Sequence, residues 1–274
     1  MSDLIVNGTR TAREIIIEDL IRKEEEAIRN KNNPVVTPPV NSPTVVPDVQ
    51  GTKDFTFQDM NDFWRATGVS YQNGIYQVDL LKTCLENNAS KTQDQWAEYS
   101  NNAISKNEFY VGNAQLYHSL FSSLFRNKDS TFKDSIEEAR AFLQKSFNDY
   151  LLMTLTRINY KKSGKDEVIH DYNLPTQFSI LEDIVGADGF VTQTNPQKEL
   201  KSILDSNDID EVNSVYNWIT NQNLYLWRVN SKPKKDDTRV VRLYSSSDGA
   251  GLNCVRNPSV SNLALGVRRA KIFP

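Results

Sequence analysis

Only two cysteines, two histidines and three methionines occur in the 274 residues. Cys84 and Cys254 stand far apart with no CxxC or paired-ligand spacing, so neither a cysteine-based zinc site nor any other metal site is expected. His118 sits in the apolar helical run Leu116, Tyr117, Leu120, Phe121 and reads as a core or boundary residue. His170 ends a Val168-Ile169 strand and is expected to bond locally. No GxSxG, P-loop or GxGxxG marks a hydrolase or nucleotide site, so no catalytic residue and no cofactor is assigned. No apolar run approaches the about 20 residues that span a bilayer. The first 30 residues carry five Glu and two Asp without an apolar stretch or small-residue cleavage site. No signal peptide is therefore expected, which leaves a cytoplasmic or virion-associated location. A net charge of −3 without a basic block makes nucleic acid an unexpected partner. With 11 Gly and 10 Pro, collagen-like and low-complexity chains are excluded.

What is present divides into two parts. Residues 12–31 read as a charged amphipathic helix, with Ile15, Ile16, Leu20, Ile21 and Ile28 near helical spacing. Alone it would be marginal in water, so it either docks on the main domain or pairs with another chain. Five of the ten prolines follow between residues 33 and 51, an extended linker or strap. This defines a segment 1–54 and a main domain 55–274.

In the main domain, Thr56 can cap a short helix carrying Phe57, Met60, Phe63 and Trp64. Residues 74–81 read as a strand or a helix start. Helices are expected over 93–104, 109–126 and 132–149. The period then changes. Residues 151–160 alternate as a strand, turn through Lys161–Lys165, and return over 167–172 as a hairpin. A strand-like run over 178–185 precedes a turn at Ala187-Asp188-Gly189. Helices over 196–204 and 208–220 lead to strands over 224–229, 239–243, 263–267 and 269–273, with 223–229, 239–243 and 264–272 expected in one sheet. The fold class is α+β, helices preceding antiparallel strands, with a loop-rich C-terminal region about 240–268.

One compositional gap stands out there. Lys, Glu, Gln, Met and Trp make up 51 of 274 residues, yet none occurs in the 35 residues from 236 to 270. Composition predicts roughly six or seven. Ser, Asn, Gly, Val and Arg fill the space.

Val241-Arg242-Leu243-Tyr244-Ser245-Ser246-Ser247-Asp248, Leu252-Asn253-Cys254, Asn257-Pro258-Ser259 and Ala264-Leu265-Gly266-Val267-Arg268 resemble the variable region of diversity-generating-retroelement target proteins, the archaeal variable protein type. Gly164-Lys165-Asp166-Glu167-Val168-Ile169-His170, Val185-Gly186-Ala187-Asp188-Gly189 and Tyr225-Leu226-Trp227-Arg228 are similar too, so the resemblance covers about residues 130–270. It implies a C-type lectin fold and a segment whose adenines are replaced by an error-prone reverse transcriptase. AAY codons changed in this way never encode Lys, Glu, Gln, Met or Trp, the types missing from 236–270.

The resemblance implies a non-catalytic ligand-binding protein, for receptor binding or display, whose partner is a protein or cell-surface ligand. The diversified positions it suggests are Tyr244, Ser246, Asp248, Gly249, Gly251, Asn253, Val255, Arg256, Asn257, Val260 and Asn262. They are expected on one exposed, mostly loop-built face, with Tyr244 and Arg256 as anchors. Leu243, Leu252, Cys254, Leu265 and Val267 are expected to point inward. The alternatives are an enzyme of the formylglycine-generating oxidase type, which needs paired cysteines, and a structural subunit of a virion or appendage.

Overall fold

The computed structural model describes residues 54–192, 197–246 and 249–273; the helix expected over 12–31 and the proline strap lie outside them. The described residues are mixed α+β, 31% helix and 38% strand. Strands come first. Thr56–Asp59 (β1), Phe63–Tyr71 (β2) and Gly74–Cys84 (β3) form an antiparallel meander where a helix was expected from Thr56. The aromatic spacing there fits both periods. What decides is the pair of tight reversals, with Asn61 at φ 67° and Gln72 at φ 51°, and the alternate burial of Trp64, Ala66, Val69 and Tyr71. Gly68 interrupts β2 as a bulge at φ +85°, and a Cβ there would meet the Asp54 carbonyl at 2.9 Å.

Gln93–Ser105 (α1) starts on a reciprocal capping box between Thr92 and Gln95. Tyr110–Val111 (β4) precedes Ala114–Arg126 (α2), so the expected 109–126 helix is shorter at its start. Asn113 caps α2 by accepting from the Leu116 N–H at 2.8 Å. Lys133–Asp149 (α3), Leu152–Tyr160 (β5), Asp166–His170 (β6) and Phe178–Glu182 (β7) fall close to the sequence periods. Gly189–Phe190 (β8), Gln197–Leu204 (α4), Ile209–Thr220 (α5) and Leu224–Trp227 (β9) follow. Asp237–Ser246 (β10), Gly249–Arg256 (β11) and Leu265–Phe273 (β12) are the last elements of the described residues.

Two sheets result. One has the order β1-β2-β3-β12-β4; the other has β7-β6-β5-β10-β11-β9-β8. Three expectations are corrected here. The helices do not precede all the strands. The 240–268 region is not mainly loop, because β10 and β11 form a hairpin within it. The three C-terminal strand runs do not share a sheet: β9 and β10 lie in the seven-stranded sheet, whereas β12 pairs with β3 and β4 in the other. One neighbour pair, β9 with β11, is parallel.

Helix α2 packs on β2, α3 on β10, and α5 on α3 and β9. A buried polar seam joins the two sheets. Asp171, at φ 50° just past β6, accepts from Arg269 of β12 at 2.7 Å, from Asn113 at 2.6 Å and from Thr176 at 2.6 Å. Asn113 also donates to the Tyr71 hydroxyl at 2.7 Å. A buried carboxylate is tolerated there because its oxygens meet a cation and neutral donors together.

Candidate functional site

Register decides which of the eleven sequence-selected positions meet. Across the hairpin, Arg242 pairs with Asn253, Tyr244 with Gly251, and Ser246 with Gly249. Directly opposed residues share a face and alternate residues return to it. Tyr244, Ser246, Gly249, Gly251 and Asn253 therefore occupy one face of the sheet, with Arg242. The parallel neighbour adds Tyr225 opposite Gly251 and Trp227 opposite Asn253, and Phe190 pairs with Tyr225. The intervening residues Leu243, Leu252, Cys254, Ala250, Leu224 and Leu226 are buried, the first four with no exposure at all.

The glycines shape this face. A Cβ on Gly251 would run into the Tyr244 ring, and one on Gly249, at φ +146°, would meet the Asn223 carbonyl and the Tyr225 Cβ at 3.1 Å. Bare backbone at Gly251 leaves room for the Tyr244 ring, and glycine at 249 takes a φ that other residues rarely adopt. Phe190 and Tyr225 meet edge to face at 5.1 Å between centroids, and the Tyr225 and Trp227 rings lie 4.6 Å apart, tilted by 40°. Phe190 is 49% exposed, while Tyr225 and Trp227 are buried. This aromatic strip comes from outside the 240–268 region and was not among the selected positions. The signal was available in Tyr225-Leu226-Trp227, where the strand alternation turns both rings to the same side.

The strand pair then bulges between Val240 and Arg242, and Asn253 accepts from the Val255 N–H at 3.1 Å at that irregularity. Beyond β11, Asn257 begins a turn in which its side chain accepts from the Ser259 N–H at 2.9 Å. Arg242, fully buried, donates to the Asn257 and Val260 carbonyls at 3.4 and 3.3 Å, fastening this loop over the sheet. The Pro258 carbonyl accepts from the Gln93 N–H at the start of α1. The Asn262 carbonyl accepts from the Trp96 indole at 2.7 Å.

The eleven positions are thus not uniformly exposed. Asn257 is exposed; Tyr244, Ser246, Val255, Arg256 and Val260 are half-buried; Gly249, Gly251, Asn253 and Asn262 are buried; Asp248 lies outside the described residues. The expectation of a mostly loop-built exposed face is corrected accordingly: the face is a strand pair with a loop clasped to its end. Leu243, Leu252, Cys254, Leu265 and Val267 do point inward, each at most 1% exposed.

The groups with acid–base or redox chemistry lie inside the body. Burial pushes the Cys84 thiol up to about 11 and the Cys254 thiol higher still. The two belong to β3 and β11, in different sheets. The expectation that His170 bonds locally is corrected: its Nε2 donates to the Ser202 carbonyl at 2.8 Å, so its Nδ1 accepts from the Thr156 hydroxyl at 3.1 Å. Among the described residues no group of three His, Cys, Asp or Glu is placed to hold a metal ion, and no helix is long and apolar enough to cross a membrane. Comparison with known families, curated proteins and solved structures finds no match for this chain.

Proposed function

We propose that this protein is a non-catalytic ligand-binding protein of the diversity-generating-retroelement type, built on a C-type lectin fold, with its β10–β11 face and the loop after it as the diversified surface. The observation that carries this reading is the coincidence of two independent patterns. The stretch lacking Lys, Glu, Gln, Met and Trp spans all of β10, all of β11 and the clasped loop. Within it, five selected positions of the hairpin, Tyr244, Ser246, Gly249, Gly251 and Asn253, fall on one face while the residues between them fill the core. A surface that changes its side chains without losing its fold needs this separation. Rings, hydroxyls, amides and a guanidinium supply contact area and adaptable hydrogen bonds, as in antibody paratopes.

The oxidase alternative needs two cysteines acting together. Cys84 and Cys254 sit in different sheets, with burial opposing the thiolate of each, and this favours the binding reading. The test is genomic. A near-identical noncoding copy of codons 240–268, differing mainly at adenines and lying beside a reverse transcriptase gene, is the expected finding. A locus with neither refutes the reading.

A further inference from the structure

A cleft of about 200 Å³ opens between α2, the β2–β3 turn and the start of α5. It shares no residue with the β10–β11 face. Helix α2 lays His118, Ser122 and Arg126 along it at intervals of four, so all three face the same side. Ser119 and, from the turn, Gln72 flank them, and Glu211 of α5 stands opposite. Leu204 is the one aliphatic side chain in the lining, against four serine hydroxyls.

The charges here satisfy one another. Arg126 pairs with Glu211 at 2.6 Å, and Asp205, also in the lining, pairs with Lys201 at 2.6 Å. Neither an anion nor a cation is called for. His118 is different: it is 4% exposed, its Nε2 is 3.4 Å from the Ser122 hydroxyl, and its Nδ1 has no hydrogen-bond partner. A buried imidazole nitrogen left unmet is costly, and proteins seldom keep one without a use for it. Burial holds this imidazole neutral, down to about 4, with the Arg126 charge adding to the effect. It therefore offers one donor and one acceptor rather than a charge.

A lining of four serine hydroxyls, the Gln72 amide and a neutral imidazole around about 200 Å³ matches a small molecule that carries hydroxyls in several directions. Arg126 Nη2 reaches both Glu211 oxygens, at 2.6 and 2.8 Å, which leaves guanidinium N–H groups and carboxylate lone pairs that can bond vicinal hydroxyls. We propose that this cleft binds a neutral polyhydroxylated ring compound the size of a single hexose. The site is independent of the diversified face, so it stays constant when that face changes.

The test uses the full chain with glucose, galactose and mannose at millimolar concentration, read by saturation-transfer NMR. Transfer to at least one sugar is expected. Ser119→Trp, which fills the cleft from a half-buried position, is expected to weaken binding about tenfold or more. Gln72→Ala, on an exposed turn, serves if Ser119→Trp does not fold; its melting curve should match the parent while sugar binding falls. Combined substitution of Ser246, Asn257 and Val260 should leave binding unchanged. Absence of transfer from all three sugars overturns the proposal. So does binding undiminished in the folded cleft variants, or binding lost with the β10–β11 substitutions.

Discussion

The Tyr244 ring lies over the bare backbone of Gly251, its partner across the β10–β11 ladder, in space that any Cβ at 251 would claim. The two positions are coupled. Gly251→Ala should displace the ring and cost about 1 kcal/mol, while the same change in a Tyr244→Ser background should cost little. A double-mutant cycle by urea denaturation should give a coupling of about 0.5–3 kcal/mol. Strict additivity would mean that the ring does not depend on the glycine. If the face is diversified, variants with larger residues at 251 should carry smaller ones at 244.

Tolerance should divide the eleven positions according to burial rather than treat them alike. Ser246, Asn257 and Val260 are open enough that each substitution should stay within about 0.5 kcal/mol. Asn253 is 3% exposed and holds the Val255 N–H at the bulge, so Asn253→Ala should cost about 1–2 kcal/mol. Leu252→Ala and Leu265→Ala, at 0% and 1% exposure, should cost about 2–5 kcal/mol each. Melting curves across this series check the order. Equal losses in all three groups would show that surface and core have been confused.

Local period carried much of the fold. Helices α1, α3, α4 and α5 and strands β5 and β6 lie within a few residues of where hydrophobic spacing and turn residues put them. The misreadings share a cause: the deciding partner is remote or absent from the local pattern. Phe57, Met60 and Phe63 are spaced like a helical stripe, and only the pairing of β1 with β2 and of β2 with β3 makes this run a meander. Gly249 and Gly251 argue for loop by propensity, yet they sit in a strand because a ring from the neighbouring strand covers Gly251. Strand β12, expected in one sheet with β9 and β10, joins the other because its partner β3 lies nearly the length of the body away in sequence. Within the candidate site, alternation made the inward residues legible. The Phe190–Tyr225–Trp227 strip was not, since its place beside the hairpin rests on a parallel pairing.

The seam at Asp171 should be a point of fragility. Its carboxylate is wholly buried and meets Arg269, whose side chain is 13% exposed, at 2.7 Å. Asp171→Ala strands that guanidinium and should cost about 3–5 kcal/mol. The double variant Asp171→Ala with Arg269→Met removes both charges and should be more stable than Asp171→Ala alone, by urea denaturation. A double variant as unstable as the sum of the singles would show that the two side chains act separately.

Stability should also fall on mild acidification, through two histidines. Burial lowers both His118 and His170 from 6.5 to about 4; Arg126 adds to the shift at His118, whereas the Ser202 carbonyl, Asp171 and Asp205 partly oppose it at His170. In the unfolded chain both protonate near pH 6.5, while in the folded chain both stay neutral until about pH 4. Between these values the unfolded state binds more protons, so stability rises with pH there. The contribution is therefore fully present above pH 6.5, declines as pH drops, and is exhausted near pH 4. Each histidine accounts for about 3 kcal/mol over that window. The upper part of the window is the cleanest to measure, because ordinary carboxylates begin to titrate lower down. His170→Gln keeps a donor for the Ser202 carbonyl and removes one titration, so it should cost some stability at neutral pH yet halve the slope of unfolding free energy against pH. His118→Gln should remove the other half. Urea titrations at half-unit pH steps would read both slopes, and a parent protein equally stable at both ends of the upper window would refute the buried neutral state of these rings.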